Sequence, residues 1–515
     1  MNISMAARLT DSSKRAETSN LFDKGIRFGL YAILCLMPLW YGGVTAESYL
    51  FLGSAVSFLF LLWLFREIRR PENLRFLWRR CFRATGFEVI FLLAAGIYIL
   101  QLVPIPLSMI KVLSPTTHRI YEKTNEIIEQ SPFVEERNLF KISSHEDTLE
   151  SSGWGTLSLS PFKTLQGFFH LLFLSLFFLL LVNGFRGRKE LEFLVKLIII
   201  LGVMQTIYGF FEYLSGHHHV LFHHLKGMRG VSGTFINANH CAGYLEMSGF
   251  CALGLVFHRI RNMGLDHYRS WKHIVRVLFS DKNAPFMMWL LFALIISFGV
   301  VFTKSRSGIT FFCLGLLLFF LLSFSSLKNW KIGAIFILIT IGCIYWTGLD
   351  QVGERFEQLS RNYPGRYGLW RDTVNICWHF PMFGSGMNTF QLVYPFCKLQ
   401  YRPDLPHHAH NDYLELMSES GVAGFLLLGV ILIFFHNQMR DLRKQATYRF
   451  NALVIGCLVG MVTISLHGLT DFNFHIPANQ INFVALLAIF LVLMNGFQHD
   501  TIRISKNVEI LVDHE

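Results

Sequence analysis

Runs of apolar residues recur along this chain at lengths of about 17 to 25, the length a helix needs to cross roughly 30 Å of hydrocarbon at 1.5 Å per residue. They fall near 27–45, 47–65, 86–103, 164–183, 191–211, 239–258, 286–303, 308–325, 331–349, 421–436, 450–470 and 480–496. No soluble architecture has use for so many. Across 515 residues, 52% are hydrophobic and 16% charged, and the 51 phenylalanines exceed what one water-enclosed core needs but suit helix faces turned to lipid. The expected fold class is therefore all-α: a polytopic membrane protein of about 12 transmembrane helices, with a large extracytoplasmic loop containing short amphipathic helices.

Charge orients these spans. The formal net charge of +11 resides largely in short connections, where it sets topology rather than binding a polymer. No nucleic-acid motif accompanies it, so nucleic acid is not expected as a partner. Arg66, Arg69, Arg70, Arg75, Arg79, Arg80 and Arg83 share one connection. Arg259, Arg261, Arg269, Lys272 and Arg276 share a second, and Arg440, Arg443, Lys444 and Arg449 a third. With twelve spans all three fall on one side, together with Arg186, Arg188 and Lys189, and that side is cytoplasmic. Both termini are then cytoplasmic. Residues 1–26 form a tail without a cleavable signal, 27–349 the first nine spans with outer loops 104–163 and 212–238, 350–420 a large outer loop, 421–497 the last three spans, and 498–515 a second tail. Nine cysteines show no metal-finger spacing; Cys377 and Cys397 share the large loop, and whether they pair is left open.

Loop 350–420 is too long for an ordinary connector and is not low-complexity. Trp370, Trp378, Phe380, Phe383, Phe390 and Tyr394 recur at roughly helical intervals, as expected of short helices lying on the membrane and roofing a cavity. The chain lacks the internal repeat found in many secondary transporters.

The strongest polar constellation is HAHNDYLELMSESGVAGFLLLG, from His408 to Gly429. It brings a histidine-bearing segment from the water interface directly into an apolar span, with Gly421 and Gly424 permitting close helix packing. A histidine at the mouth of a cavity can act as a base near neutral pH, although on spacing alone an interfacial histidine in a helix cap is the plainer reading. The His410–Asn411 pair, followed after nine residues by GxxG, resembles the signature of the O-antigen ligase and polymerase family. GVSGTFINANHCAGYL (230–245), TKSRSG (303–308), GRYGLWRDTVNICWHFPMFGSGMNTF (365–390), HGLTDFNFHIPANQINF (467–483) and SLSPFKT (158–164) resemble further segments of that family, in order.

The resemblance implies transfer of a glycan from a polyprenyl (undecaprenyl) diphosphate carrier to an acceptor hydroxyl on lipid A–core, a growing repeat chain or a protein. It implies the periplasmic face of a bacterial inner membrane, with donor, acceptor and membrane lipid as partners. Such a reaction needs a base for the hydroxyl and fixed cations for the leaving diphosphate, and arginine grips phosphate oxygens in a bidentate fork. His410 is the expected base or acceptor-orienting group, with Arg306 and Arg229 as catalytic cations; base and cations on opposed sides would give inversion. Asn411, Arg366, Arg371, Asp471 and His475 are expected substrate-binding residues, with His408 and Asp412 beside them; Asp471 and His475, in the family-like late loop, are expected to position His410 or the acceptor. Glu212 and Glu246, at or within spans, are expected to pair with nearby arginines or to serve as packing polarity, without a catalytic role. The imidazoles of HHHVLFHH (217–224) have no Cys, Asp or Glu to complete a metal set. No cofactor and no required metal are expected, so EDTA should leave activity intact. The alternative is a transporter or a non-catalytic member of the same fold.

Overall fold

The computed structural model describes residues 2–69, 85–129, 153–263 (save 186, 218 and 225–229), 276–323 (save 278–279 and 281–282), residue 342, 365–444 (save 400–404) and 452–512. Fifteen helices run through these residues: α1 (Asn2–Leu39), α2 (Ala46–Ile68), α3 (Phe87–Leu102), α4 (Leu107–Leu113), α5 (Pro115–Glu129), α6 (Pro161–Gly184), α7 (Arg188–Ser215), α8 (Ala238–Asn262), α9 (Ala284–Phe302), α10 (Arg306–Ser323), α11 (Arg366–His379), α12 (Phe390–Cys397), α13 (Asp412–Lys444), α14 (Ala452–His467) and α15 (Pro477–Val512). Helices are what apolar runs must form in hydrocarbon, because only there does each segment satisfy its own N–H and C=O groups. Polar caps open several of them. Thr45 accepts from Ser48 N at 3.3 Å before α2, and Asn237 accepts from Asn239 N at 2.9 Å before α8.

Among the described residues, eight helices are long and apolar enough to cross a membrane: α2, α6, α7, α8, α9, α10, α13 and the Pro477–Met494 part of α15; α3 and α14 are shorter apolar helices. Each expected span other than 331–349 coincides with one of these ten helices or with the second half of α1. The segment 331–349 lies outside the described residues apart from residue 342. Among the described residues, eight spans are long and apolar enough by themselves to cross a bilayer, and the expected total of about twelve is neither reached nor excluded by them. The last nine residues of the large loop, 412–420, are helical rather than loop. Helix α13 begins at Asp412, nine residues before the expected span, and breaks at Gly421, where φ is +61° and ψ −147°.

Helix α8 is the centre of the packing, its most apolar stretch wholly buried. Small residues bring its neighbours close. A Cβ on Gly254 would lie 2.8 Å from Ala452 O, and one on Gly456 would lie 2.5 Å from Phe250 O, so α8 and α14 touch backbone to backbone. At one end of this layer Arg27 pairs with Glu190, Arg66 with Asp23, and Arg259 with Glu192 at 3.2 Å. The polar residues at the start of α8 mark the other end; from Asn239 to Arg259 the helix rises about 30 Å.

The described part of loop 350–420 is a small packed unit. Leu369, Ile376, Phe380, Phe390, Val393 and Tyr394 form a second core, and Tyr394 Oη donates to Asp372 Oδ2 at 2.8 Å. Trp378 and Phe396 are 78% and 84% exposed, leaving apolar faces for lipid on helices α11 and α12. Cys377 and Cys397 are both free thiols here.

Candidate functional site

Asp471, in the turn between α14 and α15, is completely buried and accepts four hydrogen bonds. Its Oδ1 accepts from His410 Nδ1 at 3.0 Å and from Phe472 N at 3.0 Å; its Oδ2 accepts from Arg366 Nη2 at 2.8 Å and from Asn239 Nδ2 at 2.6 Å. Four chain segments thus meet on one carboxylate. Burial opposes its charge, but the hydrogen bond from His410 and the charge of Arg366 outweigh that and hold the carboxyl well below its usual range.

An ionised carboxylate can only accept, so the shared hydrogen sits on His410 Nδ1 and the lone pair on Nε2. Among the described residues Nε2 has no hydrogen-bond partner, and the side chain is 32% exposed. His410 also occupies the left-handed region at φ +49°, a strained conformation for a histidine. It is held there by Trp370 Nε1, which donates to His410 O at 3.1 Å, and by the edge of Phe472 against its ring, 4.7 Å between centroids. Asn411, the next residue, caps α13: Oδ1 accepts from Tyr413 N at 3.1 Å and Leu414 N at 3.0 Å, while Nδ2 donates to Leu469 O at 2.8 Å. Its observed role is to fix the turn that presents His410.

A second set of polar groups adjoins the first. His475 Nδ1 lies 3.0 Å from Asp412 Oδ1, and its Nε2 lies 3.3 Å from Glu415 Oε1. His408 Nδ1 lies 2.8 Å from the same Glu415 oxygen. Burial works against a charged His475, yet Glu415 and Asp412 prevail and push its pKa up to about 10. His408 moves the other way, lowered chiefly by burial despite its bond to Glu415. Beyond His475 opens a cavity of about 750 Å³ with largely apolar walls that include Tyr49, Leu50, Tyr98, Phe169 and Phe173. Its polar end is made by His170, Asn388, Glu419, His475 and Gln480.

The glycines of the large loop explain how this arrangement is held. A Cβ on Gly384 would lie 2.0 Å from Glu419 C, and one on Gly421 2.6 Å from Met382 C and Pro381 O. The Pro-x-x-Gly-x-Gly turn at 381–386 therefore lies directly on the Gly421 break in α13. Val422 N donates to Pro381 O at 2.9 Å and Gly386 N to Glu419 O at 3.1 Å.

Of the residues expected from sequence, His410, Arg366, Asp471, His475 and Asn411 come together. Arg306 opens α10 and is exposed; among the described residues it makes no hydrogen bond or ion pair. Its connection to the centre is indirect. A Cβ on Gly308 would meet Ala242, one turn along α8 from Asn239. Arg229 lies outside the described residues, although its neighbour Gly230 packs against Thr303 at the end of α9. Arg371 is exposed, without a hydrogen bond or ion pair among the described residues.

Glu246 corrects the expected arginine pairing: its partner is His467 Nδ1 at 2.9 Å, with both side chains fully buried. Glu212 Oε2 accepts instead from His219 N at 3.3 Å. Within the His217–His224 segment, His219–Val220 pairs with His223–His224 as a short hairpin. Sequence reasoning passed over Asn239, Glu415 and Trp370. Glu415 carried a signal, since it stands one helical turn after Asp412 in the histidine motif; Asn239 and Trp370 carried none beyond their place in family-like segments.

Helical spans packed around α8, with a histidine–carboxylate site at one end, define a multi-pass membrane protein. Residues 291–429 match the family model described as O-antigen ligase. The match covers 139 of the chain's 515 residues, and the activity it supports is glycan transfer of the ligase kind in general. The matched stretch includes Arg306, Arg366, His408, His410 and Glu415, while Asp471 and His475 come from outside it. No curated protein matches the chain.

Proposed function

We propose that the protein transfers a glycan from a polyprenyl diphosphate to an acceptor hydroxyl at the non-cytoplasmic face of a bacterial inner membrane. The observation that carries this reading is the His410–Asp471 pair. A histidine with Nδ1 committed to a buried carboxylate presents a basic Nε2 in fixed orientation, the arrangement general-base catalysis requires. In the proposed step Nε2 takes the acceptor's O–H proton as that oxygen bonds to the anomeric carbon. The bond from that carbon to the diphosphate breaks, and the polyprenyl diphosphate leaves with the electron pair. Attack from the rear inverts the anomeric centre.

Arg366, with its side chain 37% exposed, offers guanidinium hydrogens beyond the one given to Asp471. It joins Arg306 and Arg229 as a proposed cation for the diphosphate. The apolar walls of the cavity beyond His475 suit an isoprenoid tail. Sidedness follows from charge: the site is at the end of α8 remote from Arg259 and Arg261, the end that the positive-inside rule assigns to the periplasm.

Deletion in the native host, complemented with wild type, H410A or R306A, tests the proposal through the surface glycans. Joined glycan restored by wild type and absent with H410A, while lipid-linked donor accumulates, is the expected result. Full restoration by H410A overturns it. Short core-linked glycans in the deletion strain identify a polymerase, and free lipid-linked long chains a ligase.

A further inference from the structure

We propose that His408, Glu415 and His475 form a binding site for one divalent transition-metal ion of the zinc class. The site is distinct from the His410–Asp471 pair, whose Nδ1 hydrogen is already committed, and it is independent of the glycan-transfer reading.

The donor atoms converge. His408 Nδ1 and His475 Nε2 lie 2.8 Å and 3.3 Å from Glu415 Oε1, and all three lie within 4.8 Å of one another. Zinc bonds of about 2.0–2.2 Å in a tetrahedral set place donors roughly 3.4 Å apart, so His475 Nε2 already stands at the right spacing from Glu415 Oε1, while His408 Nδ1 must draw back by about 0.6 Å and settle at the same spacing from His475 Nε2. Two imidazoles and a carboxylate select zinc, cobalt, nickel or copper over magnesium and calcium, which require oxygen donors.

The surroundings are those of a built site. His475 Nδ1 is bonded to Asp412 Oδ1 at 3.0 Å, a carboxylate–histidine pair that fixes the ring with Nε2 toward Glu415; the ion would bind there by displacing the Nε2 proton, so its affinity should rise with pH. Asp412 is fixed in turn by Phe474 N, which donates to Oδ2 at 3.2 Å. Ala409 N donates to Glu415 Oε2 at 2.7 Å, leaving Oε1 for the metal. His408 stacks on Phe472 with centroids 4.5 Å apart, and its centroid is 4.3 Å from that of His475. Glu415 is 2% exposed, whereas His408 and His475 are 25% and 29% exposed, so one face is open to an incoming ion and a fourth ligand. The ligands come from the motif leading into α13 and from the short 3₁₀ turn Asn473–His475. An ion there joins the two segments that carry His410 and Asp471.

The test uses the full chain in detergent, stripped with chelator and purified without a histidine tag. The imidazoles of 217–224 are replaced by alanine to remove competing exposed ligands. Equilibrium dialysis against Zn²⁺ with elemental analysis is expected to give one tightly held equivalent per chain. Affinity should fall at least about 100-fold in H475Q and E415Q and about 10–100-fold in D412N, and stay unchanged in H410Q. Zn²⁺ should also raise Tm in the parent and not in H475Q. H408N serves in place of H475Q should the latter fail to fold. Absence of a bound equivalent in the parent, or its retention in E415Q and H475Q, overturns the proposal.

Discussion

At the level of single residues, Asp471 governs the arrangement. Removing its side chain leaves His410, Arg366 and Asn239 without their shared acceptor, and breaking a buried pair of this kind costs about 3–5 kcal/mol. D471A is therefore expected to lower Tm and to abolish transfer even though His410 remains. The isosteric D471N separates charge from shape. Because the folded-state pKa of Asp471 lies below its unfolded value, its contribution to stability is complete above about pH 4 and is lost as pH falls toward the folded value. The Tm gap between wild type and D471N should then be constant from neutral pH down to about pH 4 and close below it. A gap that narrows between pH 8 and 6 would contradict the assignment. His410 was legible in sequence because a polar, histidine-bearing motif that runs straight into an apolar span stands out sharply from its surroundings. Its partner was legible only through the resemblance of the late loop: Asp471 is 61 residues away, beyond what spacing can resolve.

At the level of the element, α13 and the turn at 381–386 show why glycines flank the histidine motif. The sequence suggested that Gly421 and Gly424 allow helix packing. The structure adds that Gly421 breaks the helix, and that Gly384, at φ +70°, rests on the Glu419 carbonyl carbon. G384A combines a backbone clash with a left-handed dihedral, and a loss of about 3 kcal/mol or more is expected, read as a lower Tm and poor yield. G429A, where a Cβ meets nothing within 4 Å, should be tolerated. Gln101 was invisible as a functional signal, since it lies at the end of an apolar run. Its amide nonetheless donates to Phe383 O at 2.7 Å and Glu419 O at 2.8 Å, tying α3 to both partners of that contact.

For the whole molecule, the number and order of apolar runs were readable because the length needed to cross a bilayer leaves little freedom. Which of them lies at the centre was not. Helix α8, rich in small and weakly polar residues, becomes the fully buried hub because Gly254 and Gly456 let neighbouring backbones touch. Sidedness has a direct test. A cysteine placed at the exposed His407 should react with a membrane-impermeant maleimide in cells whose outer membrane alone is opened, and one at the exposed Asn262 only after lysis, each measured against the parent chain. The reverse pattern would invert the topology.

The interruption of α13 at Gly421 divides one long rod into two bodies. The short upper piece, Asp412–Ser420, is fastened to the 381–386 turn, and the longer lower piece runs on into the bilayer. Bilayers differ in thickness, and a span adapts to such mismatch largely by tilting. Because Val422, at the head of the lower piece, is bonded to that same turn, a lean of the lower piece would have to be taken up beyond this pin, below the residues that carry the hydrogen-bonded histidines.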